Sequence, residues 1–297
     1  MRITARAKLN LGLAVGPRRP DGFHDLVTVF QSISLADTLV ARRRRSGFTL
    51  RVRSGSRAAA RHVPAGADNL VLRAARLFAQ SRAFTGGVAF ELVKRIPAQA
   101  GLGGGSADAA AALLAMERLS GHAPSRARRL ALAAQLGSDV PFAVVGGTCL
   151  GLGRGERLEK LRLARPFRAL VVVPPWRIST ADAFRQIDRK RLPLTDWSAN
   201  LRFARLLSRD PVVPGRALRL GNRFEDVLGE KLEEFLSLRD RLRAAGAIDI
   251  RLSGSGSAVF GTIPPGLPSK IVARRFAGSE PRFAVRSERS SMRLETL

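Results

Sequence analysis

Tyrosine is absent from this chain of 297 residues, tryptophan occurs twice and cysteine once. A single cysteine, Cys149, excludes an internal disulfide and a cysteine-built zinc site. Aromatic residues make up only 6%, and no stretch interleaves them with basic residues as a stacking platform for nucleic acid would. No run of 18 apolar residues is present, so no transmembrane helix is expected. The N-terminus has no apolar core of a signal peptide. The expectation is a soluble, cytoplasmic protein. Acid is also scarce: 24 Asp and Glu stand against 51 Lys and Arg, for a net charge of +27. Such a charge is the usual footprint of nucleic-acid binding. Here arginine is spread along the whole chain. Its densest run, Arg42 to Arg45, lies between two extended segments, where a solvated hairpin is expected. Lysine is scarce beside arginine, while alanine, glycine and leucine abound. The charge is therefore read as compositional bias, not as a nucleic-acid signal. It still favours anionic substrates, in a salt-dependent way.

What is present is a large apolar complement, 45% of the residues, on a length that suits two domains. A boundary is weakly signalled near 155–165, dividing the chain into 1–157 and 158–297. Strands are expected at Lys8–Val15, Gly47–Arg53, Val88–Val93 and Ala169–Val173, with extended pieces on either side of a turn within Ile248–Thr262. Helices are expected at Asn69–Ser81, from the glycine loop to Gly121, from Ser125 to Gly137, and at Leu228–Ala245. Gln186–Pro214 reads as polar, irregular and partly mobile. Strands and helices mix without a regular βαβ alternation, so the fold class is α+β.

The most informative segment is Gly101-Leu102-Gly103-Gly104-Gly105-Ser106-Ala107, which follows an extended stretch and opens an alanine-rich helix. Glycine permits positive φ and close approach of a ligand to the main chain. The first N–H groups of the helix lack partners, and the macrodipole favours negative charge there. A nucleotide phosphate suits such a loop. It is not a Walker A loop, because no lysine follows the glycines, and it lacks the third glycine of the dinucleotide fingerprint. The kinase loop of the protein-kinase fold is excluded too, since no H-R-D or D-F-G follows.

Four other segments carry reactive groups. In Ala7-Lys8-Leu9-Asn10-Leu11, Lys8 and Asn10 lie two apart on a strand and share a face. Taken alone, this could be a solvated edge strand. In Arg19-Pro20-Asp21-Gly22-Phe23-His24-Asp25-Leu26, a turn presents a ring and an imidazole. Asp139 in Gly137-Ser138-Asp139-Val140-Pro141-Phe142 is an acid beside an apolar run, either a helix cap or a carboxylate with a task. Ser253-Gly254-Ser255-Gly256 is a small-residue turn, either a second phosphate contact or only a tight turn.

Together these segments resemble the GHMP kinases, a family of small-molecule kinases. Pro97-Ala98-Gln99-Ala100-Gly101-Leu102-Gly103-Gly104-Gly105-Ser106-Ala107 is similar to the family's P-x-x-x-G-L-G-S/G-S/G-S ATP loop, and Leu252-Ser253-Gly254-Ser255-Gly256 to its C-terminal glycine motif. The Lys8–Asn10 strand, the Phe23-His24 loop, Gly137–Phe142 and Ile178-Ser179-Thr180-Ala181-Asp182-Ala183-Phe184 resemble the branch that acts on a cytidyl-diphosphate alcohol. The blocks occur in order from residue 3 to residue 261.

The resemblance implies an N-terminal domain of the ribosomal-protein-S5 type that carries ATP, and a ferredoxin-like C-terminal domain that completes the substrate site. It implies transfer of the γ-phosphoryl of ATP to the 2-hydroxyl of 4-diphosphocytidyl-2-C-methylerythritol in the non-mevalonate isoprenoid pathway. Asp139 is then the base, and Lys8 holds it ionised and stabilises charge on the reacting oxygens, since a neighbouring ammonium favours a charged carboxylate. The loop N–H groups and Ser106 hold the phosphates, with Mg²⁺ bridging them and Ser106 as its candidate ligand. Lys94 lies near the adenosine. Phe23 and Phe184 sandwich the cytosine, His24 bonds its edge, and Asn10 and Thr180 orient the substrate. A monomer or homodimer without membrane contact is expected. Phe23 stands where the branch usually has tyrosine, Thr4-Ala5-Arg6 replaces a proline-bearing lead into the lysine strand, and Gln99-Ala100 replaces a glycine-bearing pair; none of these removes a proposed chemical group. Other acceptors (homoserine, mevalonate or a sugar) would leave the Phe23-His24 and Thr180–Phe184 pairs unexplained. A nucleic-acid-binding protein on the same fold predicts no ATP turnover.

Overall fold

The computed structural model describes residues 1–55, 64, 66–82, 84–190 and 197–295. Two sheets organise the chain. The first opens with two long antiparallel strands, β1 (Arg2–Arg18) and β2 (His24–Arg44), joined by the Asp21-Gly22 turn. Their middle portions are continuously buried, because helices cover one face and the rest of the molecule covers the other. β3 (Gly47–Ser54) and β4 (Gly87–Lys94) follow, with α1 (Leu70–Arg82) between them. The sheet order is β11-β1-β2-β4-β3, and β5 (Thr148–Gly153) and β6 (Arg157–Lys160) branch from β2. The last strand, β11 (Met292–Glu295), returns from the far end of the chain to pair with Arg2–Ala5.

Arg42 to Arg45 do not lie on a hairpin. β4 inserts between β2 and β3, antiparallel to the first and parallel to the second. Burial explains the exchange. Val88, Phe90 and Leu92 of β4 are almost wholly buried, so β4 takes the interior position. β3 carries Arg51 and Arg53 on an exposed face and forms the edge, where charged side chains discourage pairing with other chains.

Helices α1, α2 (Gly104–Ser120), α3 (Arg126–Leu136) and α4 (Val140–Val145) pack on this sheet. The alanine run of α2 lets it sit deep: Ala107 and Ala109–Ala112 are at most 2% exposed. Ser125 caps α3 by accepting from the Arg128 N–H, as its type and position require.

The second sheet is antiparallel, in the order β10 (Arg282–Arg286), β7 (Arg168–Val172), β9 (Val259–Ile263), β8 (Ile248–Leu252). Against it pack α8 (Leu232–Ala244) and α9 (Ser269–Arg275). The stretch expected to be irregular is largely helical: α5 (Thr180–Arg189), α6 (Trp197–Arg209) and α7 (Pro214–Leu218). Each of the first two is polar on most of its surface and buries a narrow stripe, Ala183 and Ile187 on α5 and Ala204 and Leu207 on α6. That stripe is easily lost among arginines in a linear reading. Residues 191–196 of the stretch lie outside the described residues.

Candidate active site

The loop between β4 and α2 forms one wall of a cavity of about 350 Å³. Lys94, Pro97 and the run from Gly101 through Ser106 line it, with Asn69 and Asp108. Gly101 and Gly103 have φ of +74° and +68°, which L side chains rarely adopt. A Cβ at Gly101 would sit 2.0 Å from the Ser253 carbonyl oxygen, and one at Gly103 would meet the Lys8 side chain at 2.9 Å. The loop is thus pressed between β1 and the β8–β9 turn, with α2 starting at Gly104. The first-turn residues Gly104, Gly105 and Ser106, whose N–H groups have no partner within the helix, line the cavity. Ala107, by contrast, faces the core.

The second glycine segment braces the first. Ser253 Oγ donates to the Gly101 carbonyl at 3.1 Å, and the Ala258 N–H donates to the Ala100 carbonyl at 3.0 Å. Gly254 and Ser255 reach an adjoining cavity of about 370 Å³, while Gly256 packs on Ile178 and Leu252.

That second cavity gathers Lys8, Asn10, Phe23, His24, Asp139, Thr180 and Phe184 from four separate segments, and it shares Gly101, Gly103 and Ser106 with the first. A register shift in β1 between Arg6 and Lys8 frees the Lys8 N–H from β2, and it donates instead to the Leu102 carbonyl at 3.0 Å. The Lys8 ammonium lies 3.4 Å from Asp139 Oδ2 and donates to Asn10 Oδ1. Asn10 in turn donates to Thr28 Oγ1 at 2.8 Å, and Thr28 to the Gly12 carbonyl. This chain of bonds fixes the ammonium with its stem buried. Asp139 stands at the N-terminus of α4, and its side chain makes no capping bond there, so the carboxylate is available to the cavity. Phe142 of the same short helix stacks on Phe30, which anchors α4 to β2.

At the other end, His24 stacks on Phe184 at 5.1 Å, and Phe224 meets Phe184 edge-on at 5.0 Å. His24 Nε2 lies 2.9 Å from Asp188 Oδ1 on α5; the carboxylate accepts, so the proton is on Nε2 and Nδ1 is left over. Thr180 Oγ1 and Ser255 Oγ are 2.7 Å apart, tying the start of α5 to the second glycine segment. Phe23 is half exposed and carries the Arg154 guanidinium on its ring at 4.7 Å. Phe23 and Phe184 therefore border one cavity, each with a neighbour already on its ring.

Beneath the glycine loop lies a cluster the motifs did not point to. Lys94 is 2% exposed and donates to Asp37 of β2 and, at 2.6 Å, to Asp108 of α2. Asp37 also accepts the N–H groups of Arg95 and Ile96, pinning the chain as it leaves β4 for the loop. Burial is the main influence on Asp108, with the Lys94 ammonium opposing it and the Asp37 carboxylate adding to it; the result is pushed up to about 8. Lys94 is displaced upward, because its two carboxylate partners outweigh its desolvation. Asp37, Asp108, Asp188, Phe224 and Arg154 all escaped the sequence reading, since each acts through a partner distant in the chain. A further cavity of about 400 Å³, between α2, α3 and β11, contains the Glu117–Arg129 ion pair and no glycine-loop residue.

Known proteins resemble this chain in sequence and fold. Residues 69–147 match the GHMP kinases N terminal domain, and residues 203–278 match the GHMP kinases C terminal domain. The chain is 39% identical to the 4-diphosphocytidyl-2-C-methyl-D-erythritol kinase of Pelotomaculum thermopropionicum, over 95% of both chains. It is 39% identical to the enzyme of that name from Moorella thermoacetica, over 95% of this chain and 97% of that one. A crystal structure of 4-(cytidine 5'-diphospho)-2C-methyl-D-erythritol kinase superposes with a TM-score of 0.77 at 36% identity, covering 97% of this chain and 99% of that one. A homoserine kinase from Cytophaga hutchinsonii, at 18% identity and a TM-score of 0.71 over 99% of this chain and 96% of that one, shares the fold. With both family domains matched in order and close relatives aligned along nearly the whole chain, this protein belongs to the GHMP kinases and is an ATP-dependent phosphotransferase of mixed α+β, two-domain architecture.

Proposed function

We propose that this kinase phosphorylates the 2-hydroxyl of 4-diphosphocytidyl-2-C-methyl-D-erythritol, a step of the non-mevalonate isoprenoid pathway, in the cytoplasm. The observation that carries the reading is one cavity with two chemically different ends. One end offers rings suited to a planar base, Phe23 and the stacked pair His24 and Phe184; the other offers the Lys8–Asp139 pair beside the glycine loop. Relatives bearing the name of this activity align over 95% of the chain.

In this reading Asp139 accepts the proton of the acceptor hydroxyl as that oxygen bonds to the γ-phosphorus. The bond from γ-phosphorus to the bridging oxygen breaks, and ADP leaves with that oxygen. Phosphoryl transfer asks mainly for positioning and charge neutralisation. Lys8 supplies a fixed positive charge, held by Asn10. The N–H groups from Gly103 through Ser106 receive phosphate oxygens, while Lys94, Pro97 and Leu102 shape the nucleotide cavity. Thr180 and Asn10 orient the acceptor, and Ser253–Gly256 closes the loop from behind. The residues also fit Mg²⁺. This ion keeps several waters and takes few protein oxygens beside the phosphates, and Ser106 borders both cavities. Mg²⁺ would neutralise charge on the transferred group, with Ser106 as a protein ligand. Residues 1–157 would carry ATP and 158–297 would complete the acceptor site, in a monomer or homodimer that takes small molecules and not nucleic acid.

The test is ADP release with ATP and Mg²⁺, comparing the cytidyl alcohol with homoserine and mevalonate. Turnover with the cytidyl alcohol alone is expected. Turnover with another acceptor would remove the base-binding role of Phe23, His24 and Phe184.

A further inference from the structure

The charges around the acceptor cavity do not balance, and the excess lies on a residue not yet given a task. Lys8 is paired with Asp139, and His24 with Asp188. Arg154 lines the same cavity. It sits in the turn between β5 and β6, where its own N–H donates to Glu156 Oε2 at 2.6 Å and fixes the turn. Its guanidinium carbon lies over the Phe23 ring, 4.7 Å from the centroid. Among the described residues no carboxylate is within ion-pair distance of that guanidinium. Asp21, whose charge it influences, is taken by Arg19 at 3.2 Å. Among the described residues Arg154 is thus a cation whose side-chain donors have no partner, set over an aromatic ring that lines the same cavity.

Its position matches a requirement of the substrate proposed above, on which this inference rests. A base at the ring end and a hydroxyl at Asp139 must be joined across the cavity by a dianionic diphosphate. Lys8 is committed at the reacting end. A diphosphate left without a cation on its way in would be desolvated unpaired, which is costly.

We propose that Arg154 binds the diphosphate of the acceptor substrate and sets the enzyme's preference for a diphosphate-linked base over the base alone. Stacking on Phe23 holds the planar fork in one orientation, so little freedom is lost when it pairs with phosphate oxygens.

The experiment is calorimetric binding of CDP and of cytidine, with the glycine-loop cavity filled by a non-hydrolysable ATP analogue. Wild type, Arg154→Leu, Arg154→Gln and Arg154→Lys are compared, each checked by thermal melting. The wild type is expected to hold CDP about tenfold or more tighter than cytidine, as a charge-assisted contact should give. Arg154→Leu and Arg154→Gln should erase most of that gap with cytidine affinity nearly unchanged, and Arg154→Lys should restore part of it. An undiminished gap in the Leu and Gln variants overturns the proposal. So does an equal loss for both ligands, which would make Arg154 a mere support for Phe23. A wild type that binds neither ligand overturns the cytidyl reading itself, and this role with it.

Discussion

Asp139 and Asp108 are both carboxylates near a lysine, yet their surroundings give them opposite characters. Asp139 is one-third exposed and 3.4 Å from an ammonium that Asn10 and a buried stem hold still. Among the described residues nothing else claims its oxygens, which suits a group that must take a proton during the reaction. Asp139→Asn keeps the shape and removes that capacity. It should lower turnover by about 10²-fold or more while ATP affinity changes little. Near-normal turnover would remove Asp139 as the base. Asp108 is buried, has one oxygen without a partner, and shares Lys94 with Asp37. Its carboxyl is raised from the usual 3.8 to about 8. Between those two values the folded protein keeps a proton that the unfolded chain has released. By linkage, Asp108 therefore makes stability fall as pH rises from about 4 to about 8. In Asp108→Asn that contribution is gone. Thermal melting across this range should show a shallower decline for the variant than for wild type, and parallel curves would contradict the assignment. None of this was visible in the linear sequence. Asp37 lies 57 residues from Lys94, and nothing in Ala36-Asp37-Thr38 marks it as more than a polar residue in a strand.

The glycine loop was legible as an element because its cause is local: glycine takes the φ values of Gly101 and Gly103 without the strain other residues meet there, and four glycines in five positions announce such a backbone. What the sequence could not supply is the surface against which the loop is pressed. Ser253 and Gly256 come from the turn after β8, some 150 residues away, and their carbonyl oxygens would lie 2.0 and 3.0 Å from a Cβ placed on Gly101. Gly101→Ala thus combines an unfavourable φ with a main-chain collision that no rotamer relieves. The strained φ alone costs about 1–3 kcal/mol, so melting should fall by several degrees and the KM for ATP should rise as the loop shifts. A variant with wild-type melting and ATP affinity would show that the β8–β9 turn yields freely. The same contrast accounts for the two misread elements. Strand order cannot be read from a chain whose β4 inserts between neighbours, and the helices α5 and α6 hide narrow apolar stripes among arginines.

At the scale of the whole molecule, the +27 charge is the feature for which no single contact gives a reason. That figure already sets every acid against a base, including those bonded to Arg19, Arg129, Arg216, Arg223 and Arg241, so the surplus lies on the remaining basic residues. The more exposed of these pairs, such as Arg19 with Asp25, contribute little stability each. The surplus still creates a positive field over the surface, and both expected substrates are polyanions. A field of that sign raises encounter rates without altering the chemistry once the complex has formed. The two effects separate under salt. Raising ionic strength from about 0.05 M to about 0.5 M contracts the screening length from beyond 10 Å to about 4 Å. The kcat/KM for the cytidyl alcohol should then fall several-fold, while kcat at saturation holds. Arg154 adds a short-range contribution that salt weakens less, because a paired, partly desolvated contact is poorly screened. Arg154→Leu should therefore start from a lower kcat/KM yet show a similar salt slope. If the slope instead vanished in that single variant, one side chain would account for the attraction, and the distributed arginine surface would have no part in substrate capture.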